Sequence, residues 1–429
     1  MPTRSTILFV GALTAVSLFL LTAHLHPGTE FTLPLFPQPD AQDGYFQAAW
    51  PALTEAENRH LTQQQCRDTY PDLYLEADRA HDWYKAKGGI TRSMVDQAEK
   101  EANARLVIHQ NQLFVKVYKG GINTRTQAVI AGVYAGILTS PEPLPDVEFV
   151  VQTSDAGAGK SPIFALCRTA SQKALWLMPD FGFFSWPEPG VGSYSEVRAK
   201  TLAYEQSLGL EVDSGMEVIK GDWENKTDKL FWRGSPMVEV RHDLLRAAQN
   251  QPWSDVKELN WGAINGDEKE RLKNNGDIKS PAEHCQYRFL AHVEGWAYSG
   301  RLKYLQQCRS VIVGHKLQYI QHYHHLLNAQ DNHPEQNYIE VPLPFEKNLG
   351  GVMEGLMGEG VREKVERIAE NGWKGMRQGY ISPAANDCYF RYLLHRYAEV
   401  QAFRPSIEGA APYESFVLMG KTHWDPHRR

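Results

Sequence analysis

Residues 284–312 read HCQYRFLAHVEGWAYSGRLKYLQQCRSVI. Within them, 288–293 is an apolar, β-rich run. Gly295, Ala297, Ser299 and Gly300 then break the chain with small residues, a helical pattern covers 300–307, and SVIV (310–313) is a second apolar run. Strand, small-residue turn, helix and strand over this length predict a βαβ unit, because parallel strands need a crossover to return the chain. The same order occurs upstream, where KLFW (229–232) leads into Gly234-Ser235-Pro236 and a helical pattern to about Asn250.

Outward from this block, strands are expected at 147–152 (VEFVVQ), 163–167 (IFALC) and 337–341 (NYIEV), and helices at 92–106, 128–138, 195–207 and 384–403. Alternation of the two predicts an α/β protein with parallel sheets. The sets separate near residues 205–228, which predicts two Rossmann-like, doubly wound domains facing a cleft. One spans 61–205 and the other 206–405, with the last helix packing back on the first half and 406–429 as a tail. Doubly wound sheets take ligands beyond the carboxyl ends of their strands. The loops after KLFW and after YRFLAHV are therefore the places to search.

The 429-residue chain carries 45 Lys and Arg against 51 Asp and Glu, a net charge of -6, and is 42% apolar. These values exclude a disordered chain and a polytopic membrane protein, and argue against nucleic-acid binding by charge. Arg4 precedes an apolar run over 7–23, long enough to reach the lower limit of a spanning helix. Residues 1–26 thus read as a cytoplasmic tip and single-pass signal anchor in the lipid bilayer; a cleaved signal peptide is the alternative. Either places the remainder in a lumen where disulfides form. Pro27, Pro34, Pro37, Pro39 and Pro51 mark an extended stem over 27–60, and Asn225-Lys226-Thr227 is a glycosylation sequon.

Chemistry is readable in a few places. Ser235 and Arg241 follow a strand end, where a hydroxyl, a guanidinium and helix N–H groups suit phosphate oxygens. Arg301 stands in the first turn of the next helix, a position the helix dipole disfavours for a cation unless an anion is bound. Asp155 stands just after the strand VEFVVQT and is either a general base or a helix-cap or turn residue. The aromatic stretch FGFFSWPEPG (181–190) is a sugar- or peptide-binding platform or a buried loop. His322, His324 and His325, with His315 upstream, lack a closing ligand and read as a wet helical face. No HExxH, GxSxG or Asp-x-Asp motif is found.

The 284–312 block resembles the signature of glycosyltransferase family 90, and the similarity extends over about residues 60–403 through GGITR (88–92), PDVEFVVQTSD (145–155), FWRGS (231–235), NYIEV (337–341) and CYFRYLLHRY (388–397). The resemblance implies a GT-B fold, a UDP-sugar donor in the C-terminal domain, inversion at the anomeric carbon and no required metal. It implies Asp155 as catalytic base. It places donor contacts at Ser235, Arg241, Trp296, Ala297, Tyr298, Ser299, Gly300 and Arg301, with Arg125 near a further one. It also implies disulfides joining Cys285 to Cys308 and Cys388 to Cys66, leaving Cys167 a buried thiol. The chain departs from the animal members at Ser154-Asp155-Ala156-Gly157, at Glu294 where they have arginine, and at a carboxyl end without a retention tetrapeptide. These differences favour the fungal branch.

The expected function is transfer of xylose or glucose from a UDP-sugar to a hydroxyl of a glycan or glycoprotein, in the Golgi or the endoplasmic reticulum. One alternative is an inactive, membrane-anchored relative that binds sugar or UDP. Another is a glycoside hydrolase with Glu188 or Glu294 as its second carboxylate.

Overall fold

The computed structural model describes residues 54–155, 162–187, 190–259 and 278–419. The anchor segment 7–23 and most of the stem lie outside the described residues. Among the described residues no helix is long and apolar enough to cross a membrane. Residues 54–60, the end of the expected stem, are tied to the folded part: Arg59 pairs with Asp387 at 2.7 Å and Glu57 with Arg198 at 2.9 Å.

The chain is a mixed α/β protein with two principal sheets. Strands β1 (Ala104–His109), β2 (Gln112–Tyr118), β3 (Val147–Val151), β4 (Phe164–Ala165) and β5 (Trp176–Leu177) belong to the first. Two short ribbons follow, β6 (Ser185–Trp186) with β7 (Gly192–Ser193) and β8 (Glu211–Val212) with β9 (Val218–Lys220). The second sheet holds β10 (Thr227–Gly234), β11 (Ser254–Glu258), β12 (Tyr287–His292), β13 (Val311–Gly314) and β14 (Ile339–Glu340), and β15 (Ala411–Pro412) returns to the first.

The second sheet is parallel throughout, in the order β11-β10-β12-β13-β14. Its middle strands are apolar over most of their length because both faces are covered, and β13 is buried at every residue. The chain leaves β10 in one direction to make β11 and in the other to make β12. That reversal opens a crevice between the carboxyl ends of β10 and β12.

The first sheet differs from the doubly wound expectation. Its order is β15-β2-β1-β3-β4-β5, and β1 runs antiparallel to both β2 and β3; only β3, β4 and β5 are parallel. The cause is a tight hairpin: His109 pairs with Gln112, and Gln110 and Asn111 take φ of 49° and 59°, the positive values that a two-residue primed turn requires. The Asp146 carboxylate accepts the Gln110 N–H at 2.8 Å and holds that turn. The helix expected over 92–106 accordingly ends early. Thr91 caps it, accepting the Met94 N–H, but it stops at Ala98 and ARLVIH becomes the buried strand β1. Residues 411–419, part of the expected tail, add β15 and a helix (Tyr413–Met419) whose Phe416 is buried.

The helix Pro383–Val400 packs against the helices Leu75–Lys85 and Arg125–Leu138 of the first half. A disulfide, Cys66–Cys388, fastens it there, and Cys285–Cys308 closes the signature block; Cys167 is buried and outside both disulfides. The Cys66–Cys388 bridge spans 322 residues of sequence. Loop-closure entropy makes such a bridge worth ~2–5 kcal/mol. Replacing both cysteines by serine is expected to lower unfolding stability by about that amount in a denaturant titration, with native structure retained.

Candidate functional site

At the crevice of the parallel sheet, β10 ends in Gly234 and the next helix, Glu239–Ala248, carries Arg241 in its first turn. Arg241 donates Nε to the Glu294 carbonyl at 2.9 Å and Nη1 to the Ser235 carbonyl at 3.0 Å, so it bridges the turns after β10 and β12. Arg301 occupies the N-cap of the short helix Leu302–Leu305. The guanidinium carbons of Arg241 and Arg301 lie 5.9 and 5.6 Å from the Trp232 ring centroid. Both turns are tight: a Cβ on Gly234 would lie 2.6 Å from the Trp232 ring and 3.2 Å from Arg301 Nη2, so the ring would have to move, and one on Gly295 would lie 3.1 Å from Arg241 Nη2 and press on that guanidinium.

Neither guanidinium meets a carboxylate among the described residues. Burial lowers the Arg241 pKa, and burial together with Arg241 pushes Arg301 down to about 9. Two partly desolvated like charges with no counter-ion among the described residues make a candidate anion site. The remaining signature residues divide. Ala297 and Tyr298 are buried in the core, Ser299 and Gly300 are half-buried, and the Trp296 ring is 70% exposed at the rim.

Glu294 is not a free acid. It is buried and accepts the N–H groups of Gln318 (3.1 Å) and Tyr319 (2.8 Å), strapping the 315–320 loop to the turn. Burial raises its pKa and these N–H groups oppose the rise. The glycosidase reading thus loses Glu294, and Glu188 lies outside the described residues. The 315–320 loop reaches the first half, where Ile320 and Arg168 exchange backbone hydrogen bonds of 2.7 and 3.0 Å.

Asp155 follows β3 by four residues and its side chain is 42% exposed. Arg125, the first residue of the helix Arg125–Leu138, donates Nη1 to Asp155 Oδ1 at 2.5 Å. The Arg125 guanidinium lies 4.6 Å from the Phe181 ring centroid and 6.0 Å from that of Trp186, so part of the aromatic stretch faces the site. The Cys167 thiol donates to the Asp155 carbonyl at 3.0 Å. The two other carboxylates of the PDVEFVVQTSD stretch are structural. Asp146 holds the hairpin turn, and Glu148 is buried against Arg105 and Lys116 at 2.7 and 3.1 Å.

The two halves of the site are joined next to Tyr298, whose phenol pKa is raised chiefly by burial and further by Asp180, Cys167 and Asp155, with Arg125 opposing. Beneath it, Lys303 donates Nζ to Asp180 Oδ2 at 2.8 Å and to the Gly300 carbonyl at 2.7 Å. Asp180 also caps the turn Phe181–Phe183, accepting the Gly182 N–H at 2.7 Å. Sequence reasoning passed over Asp180 and Lys303. The available signal was an Asp immediately before the aromatic run, and a Lys inside a block otherwise explained by packing.

His322 is a correction. It is fully buried among the rings of Phe183, Tyr323 and Tyr389 and does not lie on a wet helical face; His324 and His325 form a 3₁₀ turn. Among the described residues no group of three His, Cys, Asp or Glu side chains is placed to hold a metal ion. Asn225 is exposed, just before the start of β10, and donates Nδ2 to the Leu208 carbonyl at 2.7 Å.

The chain belongs to glycosyltransferase family 90: the profile described as "Glycosyl transferase family 90" matches residues 62–414. Among curated proteins, it is similar to Protein O-glucosyltransferase 2 of Danio rerio, 24% identical over 320 residues that cover 70% of this chain and 56% of that protein. Protein O-glucosyltransferase 3 of Mus musculus is 24% identical over 278 residues, covering 62% and 49%. The O-glucosyltransferase rumi homolog of Aedes aegypti is 23% identical over 336 residues, covering 73% and 75%. The chain thus spans about half the length of the first two relatives.

The paired guanidiniums carry a signed expectation. A cation whose pKa is depressed on folding, here to about 9, opposes folding at neutral pH; that cost shrinks as pH rises above 9. Arg301→Met should therefore raise the melting temperature of the ligand-free protein at pH 7 and abolish its stabilisation by millimolar pyrophosphate. A lower melting temperature with pyrophosphate stabilisation intact would contradict the anion-site assignment.

Proposed function

We propose that the protein is an inverting glycosyltransferase of the GT-B type that moves a sugar from a UDP-sugar to a hydroxyl. The observation that carries this reading is the pair Arg241 and Arg301, uncompensated by carboxylates among the described residues, at the reversal point of a parallel sheet. A carboxylate from the other half lies within the electrostatic reach of the same turn. In this reading the diphosphate of UDP lies on Arg241, Arg301 and the Ser235 hydroxyl. Asp155 takes the proton of the acceptor hydroxyl while that oxygen attacks the anomeric carbon from the face opposite UDP. The bond from the anomeric carbon to the phosphate oxygen breaks, its electron pair leaves on UDP, and the guanidiniums stabilise the charge that develops there. General-base help of this kind is worth ~10²–10⁴-fold.

All three relatives are named O-glucosyltransferases, which supports glucose as donor sugar over xylose, and two of them protein O-glucosyltransferases, which supports a protein hydroxyl as acceptor. A groove of about 720 Å³ supports the same acceptor class. Its walls include Thr124 and Gln127, which flank Arg125, the rings of Phe184 and Tyr413, and Pro187. A glycosylated acceptor remains within this reading. Anchoring by residues 7–23 as a type II protein of the Golgi or endoplasmic reticulum, with glycosylation at Asn225, is part of the same proposal.

The test is UDP release from UDP-glucose, UDP-xylose, UDP-galactose and UDP-GlcNAc with an acceptor panel, with and without EDTA. Turnover of one donor, unchanged by EDTA and reduced ~10²–10⁴-fold in Asp155→Asn with UDP affinity retained, is expected. Equal loss of turnover and UDP binding in that variant would remove Asp155 as base. Phe184→Ala, at an exposed ring, should raise the KM for a protein acceptor and leave the donor KM unchanged.

A further inference from the structure

We propose that Arg125 is a positioning residue for the base, not a ligand of the donor diphosphate as the family resemblance implies; this rests on Asp155 being the base. The diphosphate cradle is built from guanidiniums that meet no carboxylate among the described residues, whereas Arg125 already spends its charge on Asp155 Oδ1 at 2.5 Å. An arginine neutralised in this way adds little field for a second anion.

Its placement is over-determined from the side of the base. Arg125 opens its helix, and the next residue, Thr126, has its hydroxyl 2.8 Å from that of Thr153, two residues before Asp155. Thr126 also donates to the Gly120 carbonyl at 3.0 Å, so the helix start and the end of β3 are pinned together. Phe181 and Trp186 flank the guanidinium, and its side chain is only 13% exposed. The Cys167 thiol fixes the Asp155 backbone through its carbonyl.

The carboxylate is thereby held by one oxygen. Oδ1 is occupied, and Oδ2 makes no hydrogen bond among the described residues and belongs to the 42%-exposed side of the pair. Arg125 selects which oxygen faces the acceptor and removes rotation of the carboxylate about its own axis, an orientation effect. It exchanges no proton. The acceptor proton goes to Oδ2, the new C–O bond forms, and UDP leaves with its electron pair.

The test uses Arg125→Ala and Arg125→Lys, each alone and combined with Asp155→Asn. It reads kcat for transfer and the Kd of UDP by calorimetry. Arg125→Ala should lower kcat ~100-fold, the size of effect that misplacing a reacting group produces. UDP Kd should stay within about twofold of the parent, which also certifies the fold. Arg125→Lys keeps the charge but not the planar fork and should recover part of the loss. In the Asp155→Asn background, Arg125→Ala should change neither quantity further. A rise of about tenfold or more in UDP Kd in both backgrounds would make Arg125 a donor ligand and overturn the proposal, as would an unchanged kcat. Full turnover by Asp155→Asn alone would instead remove the base, and the positioning role with it.

Discussion

Lys303 and Asp180, each all but inaccessible to solvent, form an ion pair at 2.8 Å that joins the working ends of the two sheets. Lys303 comes from the signature block and also holds the Gly300 carbonyl, which fixes the turn carrying Arg301. Asp180 comes from the first half and caps the turn that presents Phe181 to Arg125. Gln321 adds a third contact to Asp180 at 3.0 Å, from the stretch just beyond the loop that Glu294 straps down. Burial lowers the Lys303 pKa more than Asp180 restores it. A pair this deep is an expensive way to gain stability. Removing either partner would strand a buried charge, at a cost of ~3–5 kcal/mol. What the pair provides is a fixed distance between two turns that belong to different sheets.

That distance matters because the two halves bring different chemistry. The parallel sheet supplies a concentration of positive charge at its reversal point, maintained against the helix dipole and against mutual repulsion. Such charge persists in a fold only when the rest of the structure enforces it. The first half supplies a carboxylate whose conformation is set by an arginine, two aromatic rings and a thiol. Here each strained or costly element is flanked by residues that pin it. Arg241 is bridged between two turns, Glu294 straps a loop, and Thr126 with Thr153 ties helix to strand.

The parallel sheet was legible in the sequence because its middle strands are buried on both faces and read as uninterrupted apolar runs. Its outer strand was not: SDVKE (254–258) is charged and half-exposed, so periodicity says nothing about it. The β1–β2 hairpin was hidden because ARLVIH continues the apolar pattern of the preceding helix, and its turn is Gln110-Asn111, lacking the glycine that usually marks a primed turn. Among the candidate-site residues, the places of Arg241, Arg301 and Asp155 after strands were legible in the sequence. The Arg125–Asp155 contact was not, because it depends on which face of a helix meets a strand 30 residues away. Asp180, Lys303 and His322 escaped for a common reason. Polar side chains are assigned to the surface by default, and only tertiary packing reveals the ones that are inside.

The measurement that bears most directly on this account is a crystal structure of the folded part with UDP bound. The account predicts the diphosphate within hydrogen-bond reach of both Arg241 and Arg301, with Arg125 still on Asp155 and the carboxylate facing the open end of the diphosphate. UDP seated elsewhere, or with its diphosphate on Arg125 and not on the other two, would contradict it.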